Sequence, residues 1–348
     1  MLSVIIPTRS TGRRSFRTLR ALSKQDIDPT GVEVVIVGDG VSLDSIESDR
    51  ALGMPFPLRV IEQPHGGQAA ARNRGAAEAS GDLLVFLDDD MDLLTDFLRQ
   101  VLRRLEDGAD VVLTDILIGD WVQDTLPVRV ARRLEHDARQ EKRLGRGLVF
   151  EDMVFAATAI RRAVFERTGG FDPSFTAGGA YGNEDIELGY RLLRSGVDIR
   201  RAPEAVAYSD MPHELPILLA RARKVGANDV RLARKHPELA AALFGRKLIY
   251  SRTHRLVGTT VLSVPAIARG EGLLRWPVRR FVHDRGKEGP VRTRLWLALR
   301  SFRYWRGVRE AGGGRLAFTG RAMERRNPTS SLSSQPASDP PGAHSRGR

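Results

Sequence analysis

Three short runs constrain this chain more than any other feature: residues 2–6, 32–37 and 83–87 are apolar or β-branched nearly throughout and have the length of strands. A run with no polar side must be covered on both faces, which is the condition of a central strand in an α/β sheet. Between the first two lies a segment with Phe16, Leu19 and Leu22 at helical spacing. Residues 58–62 read as a further strand, and the Ala-rich 68–80 as a helix stopped by Gly81. Further on, 95–106 reads as a helix, 111–113 as a strand, 129–144 as a surface helix, 155–160 as a strand and 161–168 as a short helix ending at Gly169-Gly170. Residues 183–195 form a well-signalled helix with Asp185 and Glu187 in its first turn, where negative charge suits the helix dipole. Strands alternating with helices predict an α/β domain with a Rossmann-like, mostly parallel sheet sandwiched by helices, and the ligand crevice at the carboxyl ends of the strands.

The third run ends in Asp88-Asp89-Asp90. Adjacent carboxylates repel one another, so three at one strand end need a reason. A hard divalent cation, Mg²⁺ or Mn²⁺, held by one or two carboxylates and by substrate phosphates supplies one; a solvated loop with a capping Asp is the plain alternative. Asp39, between Gly38 and Gly40, is either a turn residue or an acceptor for a base or ribose approaching closely over the glycines. Arg72 lies on the helix between the two acidic clusters, where a guanidinium can clamp a diphosphate. Asn183 and the acidic Glu184 and Asp185 read as helix capping, or as a source of the carboxylate that takes a proton from an acceptor hydroxyl. His213 is either a further metal ligand, which favours Mn²⁺, or an exposed loop histidine.

Taken in order, Ser3-Val4-Ile5-Ile6-Pro7-Thr8, Val35-Ile36-Val37-Gly38-Asp39-Gly40, Gly66-Gly67-Gln68-Ala69-Ala70-Ala71-Arg72-Asn73-Arg74-Gly75, Phe86-Leu87-Asp88-Asp89-Asp90, Gly169-Gly170-Phe171-Asp172 and Asn183-Glu184-Asp185-Ile186-Glu187-Leu188 resemble the family 2 glycosyltransferases of the GT-A fold. The resemblance spans roughly residues 2–212. It implies an inverting transfer from a nucleoside diphosphate sugar. Pro7, Thr8, Asp39, Arg72, Asp88 and Asp89 would surround the donor, Asp90 and His213 would hold the metal, and Asp185, with Glu184 beside it, would act as catalytic base. The acceptor would be a glycan, a lipid-linked compound or a small molecule. Gly38 stands where the family usually has a first Asp, and His213 falls a few residues late after Tyr208-Ser209-Asp210. Arg275-Trp276 has Gly272 where a processive synthase carries Gln, so a single addition is expected rather than polymerisation.

Composition bears on what remains. The absence of cysteine excludes disulfides, thiolate metal sites and a cysteine nucleophile, and leans to a cytoplasmic setting. The longest late run without charge, 256–268, is broken by Gly258 and Pro265, whereas a bilayer crossing needs roughly 20 apolar residues. Of the net charge of +12, residues 245–326 hold 20 Lys/Arg against 5 Asp/Glu, so the rest of the chain is close to neutral. That basic stretch interleaves arginines with Trp276, Phe281, Trp296, Phe302, Tyr304 and Trp305. Two expectations follow: interfacial helices on an anionic membrane face, or helices packed on the catalytic domain with their arginines solvated.

A nucleic-acid binder would share the basic stretch but leaves the acidic crevice unexplained, so no nucleic acid is expected. A nucleotidyltransferase would need a basic Gly-rich loop after the first strand, which residues 7–14 match in part, and would release pyrophosphate. The expected organisation is a nucleotide-sugar half at 1–115, an acceptor and catalytic half of the same domain at 116–244, a basic helical extension at 245–326 and a disordered tail at 327–348.

Overall fold

The computed structural model describes residues 1–10, 13–44, 53–179, 182–246, 252–263 and 289–317. Its frame is an eight-stranded sheet made of β1 (Leu2–Thr8), β2 (Val32–Asp39), β3 (Leu58–Gln63), β4 (Leu83–Leu87), β5 (Asp92–Leu93), β6 (Val111–Ile118), β7 (Ala157–Arg161) and β8 (Ile199–Ser209). The spatial order is β3-β2-β1-β4-β7-β6-β8-β5. Strands β3, β2, β1 and β4 are mutually parallel. The sheet is mostly parallel as expected, with two strands reversed: β7 runs antiparallel to both β4 and β6, and β5 antiparallel to β8, while β6 and β8 are parallel. The sheet is mixed because β7 enters from the opposite end, between two strands that precede it in sequence.

Alternation along the apolar strands shows why they carry no polar face. Val4 and Ile6 of β1, Val34 and Ile36 of β2, and Val85 and Leu87 of β4 enter one core with Leu19 and Leu22 of α1 (Arg13–Leu22) and Phe97, Val101 and Leu105 of α3 (Phe97–Glu106). Ile5, Val35, Val37, Leu84 and Phe86 face the other way. They pack on α2 (Gln68–Glu78), α5 (Arg162–Arg167) and α6 (Glu184–Ser195). Full burial of one such side chain contributes about 1.5–3 kcal/mol, so a polar residue on either face would be costly.

Helix α2 ends at Glu78 with Ala79 as its cap, earlier than the glycine stop implied. Gly81 serves a different need, since a Cβ there would come within 2.5 Å of the Met1 carbonyl. Strand β8 has no counterpart in the sequence reading. Its pairing with β6 jumps from Ala202 to Val206, so Pro203, Glu204 and Ala205 bulge out and the alternation is lost.

The remaining helices are α4 (Leu126–Arg143), α7 (Leu215–Lys235), α8 (Arg252–Ser263) and α9 (Pro290–Glu310). Helices α7, α8 and α9 pack on one another and against Phe175 and Tyr190. Trp296, Phe302, Tyr304 and Trp305 are all buried in this packing and in the contact with α4, so of the two expectations for the basic stretch they take the second. Buried rings are not available as membrane anchors. Trp276, Phe281 and the tail at 327–348 lie outside the described residues. Among the described residues, no helix is long and apolar enough to cross a membrane.

Candidate active site

Parallel β1, β2 and β4 deliver Thr8, Asp39 and Asp88 to one edge of the sheet. Pro7 is tolerated there because β4 pairs with β1 only as far as Ile5, so no ladder bond is lost on that side. Thr8, fully buried, donates its hydroxyl to Asp89 Oδ2 at 2.5 Å and fixes the second aspartate of the run. Thr18 of α1 donates to the Asp88 carbonyl and accepts from the Met91 amide, which holds the turn as it leaves β4.

Arg72 is the hub. Only 2 % exposed, it donates Nη2 to Asp88 Oδ1 at 2.8 Å and Nη1 to Glu184 Oε1 at 3.2 Å. The guanidinium stands 5.2 Å above the Phe171 ring. Phe171 belongs to an aromatic cluster with Phe86, Phe155 and Phe165, so the floor beneath the cation is rigid. Asn73, one residue on, donates to the Phe171 carbonyl and accepts from its amide, locking that loop to α2. Burial works against a charged guanidinium, but Asp88, Glu184 and Asp185 outweigh it and hold the Arg72 pKa above its ordinary value. Gln68 adds a second donor to Asp88 Oδ1 at 2.7 Å.

Glu184 and Asp185 open α6 but divide in environment. Glu184 is committed to Arg72, yet its Oε2 and the Arg72 Nε are buried with no hydrogen-bond partner among the described residues. Asp185 Oδ1 accepts from the Ile186 amide at 2.8 Å. Burial, then repulsion from Glu184, push the Asp185 carboxyl from 3.8 up to about 7; Arg72 and the Ile186 amide pull the other way, and Asp88 adds a smaller upward push. Asn183 does not cap this helix with its side chain; it takes a left-handed conformation (φ 76°) and turns its amide elsewhere.

Asp39 sits at the far side of α2, buried to 2 % exposure. Oδ1 accepts from Gly66 N at 2.7 Å and Gln63 Nε2 at 3.0 Å; Oδ2 accepts from Gly67 N at 3.0 Å and meets His65 Nδ1 at 2.6 Å. A carboxylate offers about four acceptor sites, so the β3–α2 loop fills all of them. Burial raises the Asp39 pKa, but these four bonds more than offset it and hold the carboxyl below its ordinary value. An open cavity of about 360 Å³, lined by Gly40, Val41, Ser42, Glu62, Gln63 and Pro64, lies beside this loop.

For a metal, the donor set is hard carboxylate oxygen, which suits Mg²⁺ or Mn²⁺. Asp88, Asp89 and Asp90 are half-buried at the end of β4. Asp88 Oδ1 and Asp89 Oδ2 are already engaged, and among the described residues no three His, Asp or Glu side chains converge on one point. His213 lies 3.9 Å from Glu214 Oε1 and is not gathered with the aspartates into such a group. The residues therefore fit an open site of one or two carboxylates completed by ligand oxygens.

The structure thus brings together Thr8, Arg72, Asp88, Asp89, Glu184 and Asp185, with Asp39 one loop away. Sequence reasoning passes over Gln63, His65 and Gln68, which complete the two acidic clusters. Gln68 stands in the run from Gly66 to Gly75, which is read for Arg72, and Gln63 and His65 lie just before it with no signal of their own.

Comparison with known proteins bears on the family and the fold. The model of glycosyl transferase family 2 matches residues 3–169, and that of the N-terminal domain of galactosyltransferase matches residues 147–214. The chain is similar to the pre-mycofactocin glycosyltransferase of Mycobacterium tuberculosis, 29 % identical over 70 % of this chain and 49 % of that one. It is also similar to the validoxylamine A glucosyltransferase of Streptomyces hygroscopicus, 30 % identical over 70 % and 58 % respectively. The chain spans about half the length of the curated relatives it matches. Among solved structures, the mannosyltransferase PcManGT of Pyrobaculum calidifontis, in complex with GDP-Man and Mn²⁺, shares the fold at 16 % identity, with a TM-score of 0.51 over 94 % of this chain and 81 % of that one.

Proposed function

The chain belongs to the family 2 glycosyltransferases, and on that premise we propose that it transfers a sugar from a nucleoside diphosphate sugar to an acceptor hydroxyl, with inversion and with the help of a divalent cation. The observation that carries this reading is the Arg72 bridge: one buried cation ties the acidic end of β4 to the two carboxylates that open α6. Donor and acceptor chemistry then meet at a single point.

Asp185 is the base. Its pKa of about 7 places it near working pH, where a carboxyl can accept a proton and still drive the transfer. As the acceptor oxygen attacks the anomeric carbon, that hydroxyl's proton passes to Asp185 and the bond to the diphosphate breaks. One displacement suffices, without a covalent enzyme intermediate. Arg72 stays charged throughout and supports the departing negative charge from its buried position. Glu184 fixes Arg72 in place. Asp90, beside Asp88 and with His213 as a further candidate, would hold the cation, whose contribution is Lewis-acid stabilisation of the diphosphate.

Thr8 and Asp89 shape the floor, and Pro7 its edge. Asp39 orders the β3–α2 loop beside the base, reaching the nucleotide through that loop. We infer a division of labour in which residues 1–115 take the donor and 116–244 the acceptor and the base, with 245–326 as a helical support. The names of two relatives, for validoxylamine A and for pre-mycofactocin, support a small-molecule acceptor. PcManGT, solved with GDP-Man and Mn²⁺, supports a metal-assisted nucleotide-sugar donor.

The test is a panel of nucleotide sugars read by release of nucleoside diphosphate with and without Mn²⁺. Turnover that needs the cation and yields the diphosphate is expected. Pyrophosphate as the product, or no turnover of any donor, would sink the proposal.

A further inference from the structure

Among the described residues, Asn183 is the one non-glycine at positive φ (76°), and it stands immediately before Glu184 and Asp185. Asparagine tolerates that conformation better than most residues, but it holds it only where the surroundings impose it. What imposes it comes from the C-terminal helices. The Asn183 side-chain amide donates to Asp229 Oδ1 of α7 at 2.8 Å, and Asp229 Oδ2 accepts the Tyr304 hydroxyl of α9 at 2.5 Å, both in buried surroundings. Asn228, the neighbour of Asp229, donates to the Gly182 carbonyl at 2.5 Å. Two consecutive residues of α7 therefore grip the two residues that lead into α6.

The reach of Tyr304 has its own cause. Helices α7 and α9 cross at Gly226 and Gly307, and a Cβ at either glycine would overlap the facing backbone, at Tyr304 and at Arg223 respectively. This close crossing lets the Tyr304 hydroxyl meet a carboxylate one turn along α7. Tyr304 and Asp229 both lie beyond residue 214, where the family matches end.

We infer that Tyr304 and Asp229 are positioning residues for the reaction: the chain Tyr304–Asp229–Asn183 sets the left-handed residue ahead of α6 and so aims Asp185 at the acceptor. The C-terminal helices are thereby part of the catalytic apparatus without touching substrate. This inference rests on the reading of Asp185 as the base.

The experiment measures kcat and KM for the nucleotide sugar turned over fastest in the panel, in Asn183→Gly, Tyr304→Phe and the double variant. Glycine accepts φ 76° freely, so Asn183→Gly removes the tether and leaves the backbone conformation accessible. Each single change should lower kcat about tenfold with donor KM unchanged, because small misplacement of a reacting group is costly. The double variant should be no worse than the poorer single.

Val308→Ala, which thins the same helix packing without touching the chain of hydrogen bonds, should lower Tm and leave kcat alone. Additive losses in the double variant, a change confined to KM, or the same kcat loss in Val308→Ala would each overturn the inference. Asp185→Asn, assayed in parallel, separates the two readings. Full activity there refutes the base assignment, whereas inactivity there alongside additive single losses refutes the positioning chain alone.

Discussion

Asp39, buried, and Asp185, half-buried, lie near the same edge of one sheet, and their surroundings drive them in opposite directions. Around Asp39 the β3–α2 loop supplies four donors, and its pKa falls. Around Asp185 the neighbours are Glu184 and Asp88 as well as Arg72, with one backbone donor, and its pKa rises to about 7. Burial is the largest single influence on each, and it acts upward on both. The difference lies in what the fold offers against it: donors enough to keep Asp39 ionised, too few to keep Asp185 so. A saturated carboxylate organises structure, and an undersupplied one is ready to take a proton.

The largest expected effect breaks the comparison at its reactive end. Asp185→Asn removes the proton acceptor and leaves Arg72 and Asp88 in place, so kcat should fall by about 10²–10⁴ with the donor KM little changed. A steady-state assay at saturating acceptor checks this, and a loss expressed in KM would place Asp185 in donor binding instead. Next is Arg72→Met, which keeps the apolar bulk over Phe171 but strands Asp88 and Glu184. Breaking a buried ion pair from one side typically costs about 3–5 kcal/mol, readable by urea denaturation. The same change removes a pull on Asp185, so the ascending limb of kcat/KM should move to higher pH than the wild-type limb near 7.

Asp39→Asn is the milder counterpart. The amide places a donor where a carboxylate oxygen accepted, so at least one of the Gly66, Gly67, Gln63 and His65 bonds must fail. A loss of about 1–3 kcal/mol in stability is expected, with weaker donor binding and kcat largely kept. If Asp39→Asn instead abolished turnover as Asp185→Asn does, the division between organising and reacting carboxylates would fail.

How far the sequence foretells this arrangement differs between the two aspartates. Strands β1, β2 and β4 are legible because burial on both faces leaves runs that are apolar nearly throughout, broken only by Ser3 and Glu33 near the strand starts, and those runs place Asp39 and Asp88 at one edge. Asp39's partners are not legible, since nothing in the run Val37-Gly38-Asp39-Gly40 tells that a loop 24–28 residues later will saturate it. The Arg72–Glu184 pair joins residues 112 apart, too far for any local pattern to report. Strand β8 is hidden by its bulge. The aromatics of α9 read equally as anchors or as core until α7, to which the sequence reading assigns no element, supplies the surface they cover.

The smallest expected effect is also the sharpest test of the contrast, because the two aspartates should tilt stability against pH in opposite senses. For Asp185 the folded pKa of about 7 exceeds the ordinary 3.8. Between those values the native state keeps a proton that the unfolded chain has shed, so this group's contribution is whole below 3.8 and drains away as pH rises through 7. For Asp39 the folded pKa lies below the ordinary value, so its contribution is whole above 3.8 and drains away as pH falls. Melting curves from pH 3 to pH 8 should therefore show Asp185→Asn gaining on the wild type as the solution becomes more alkaline. Asp39→Asn should recover its deficit only as the solution becomes acidic. Parallel differences for the two variants would mean that both carboxylates feel one common environment, and that the loop around Asp39 does not set it apart.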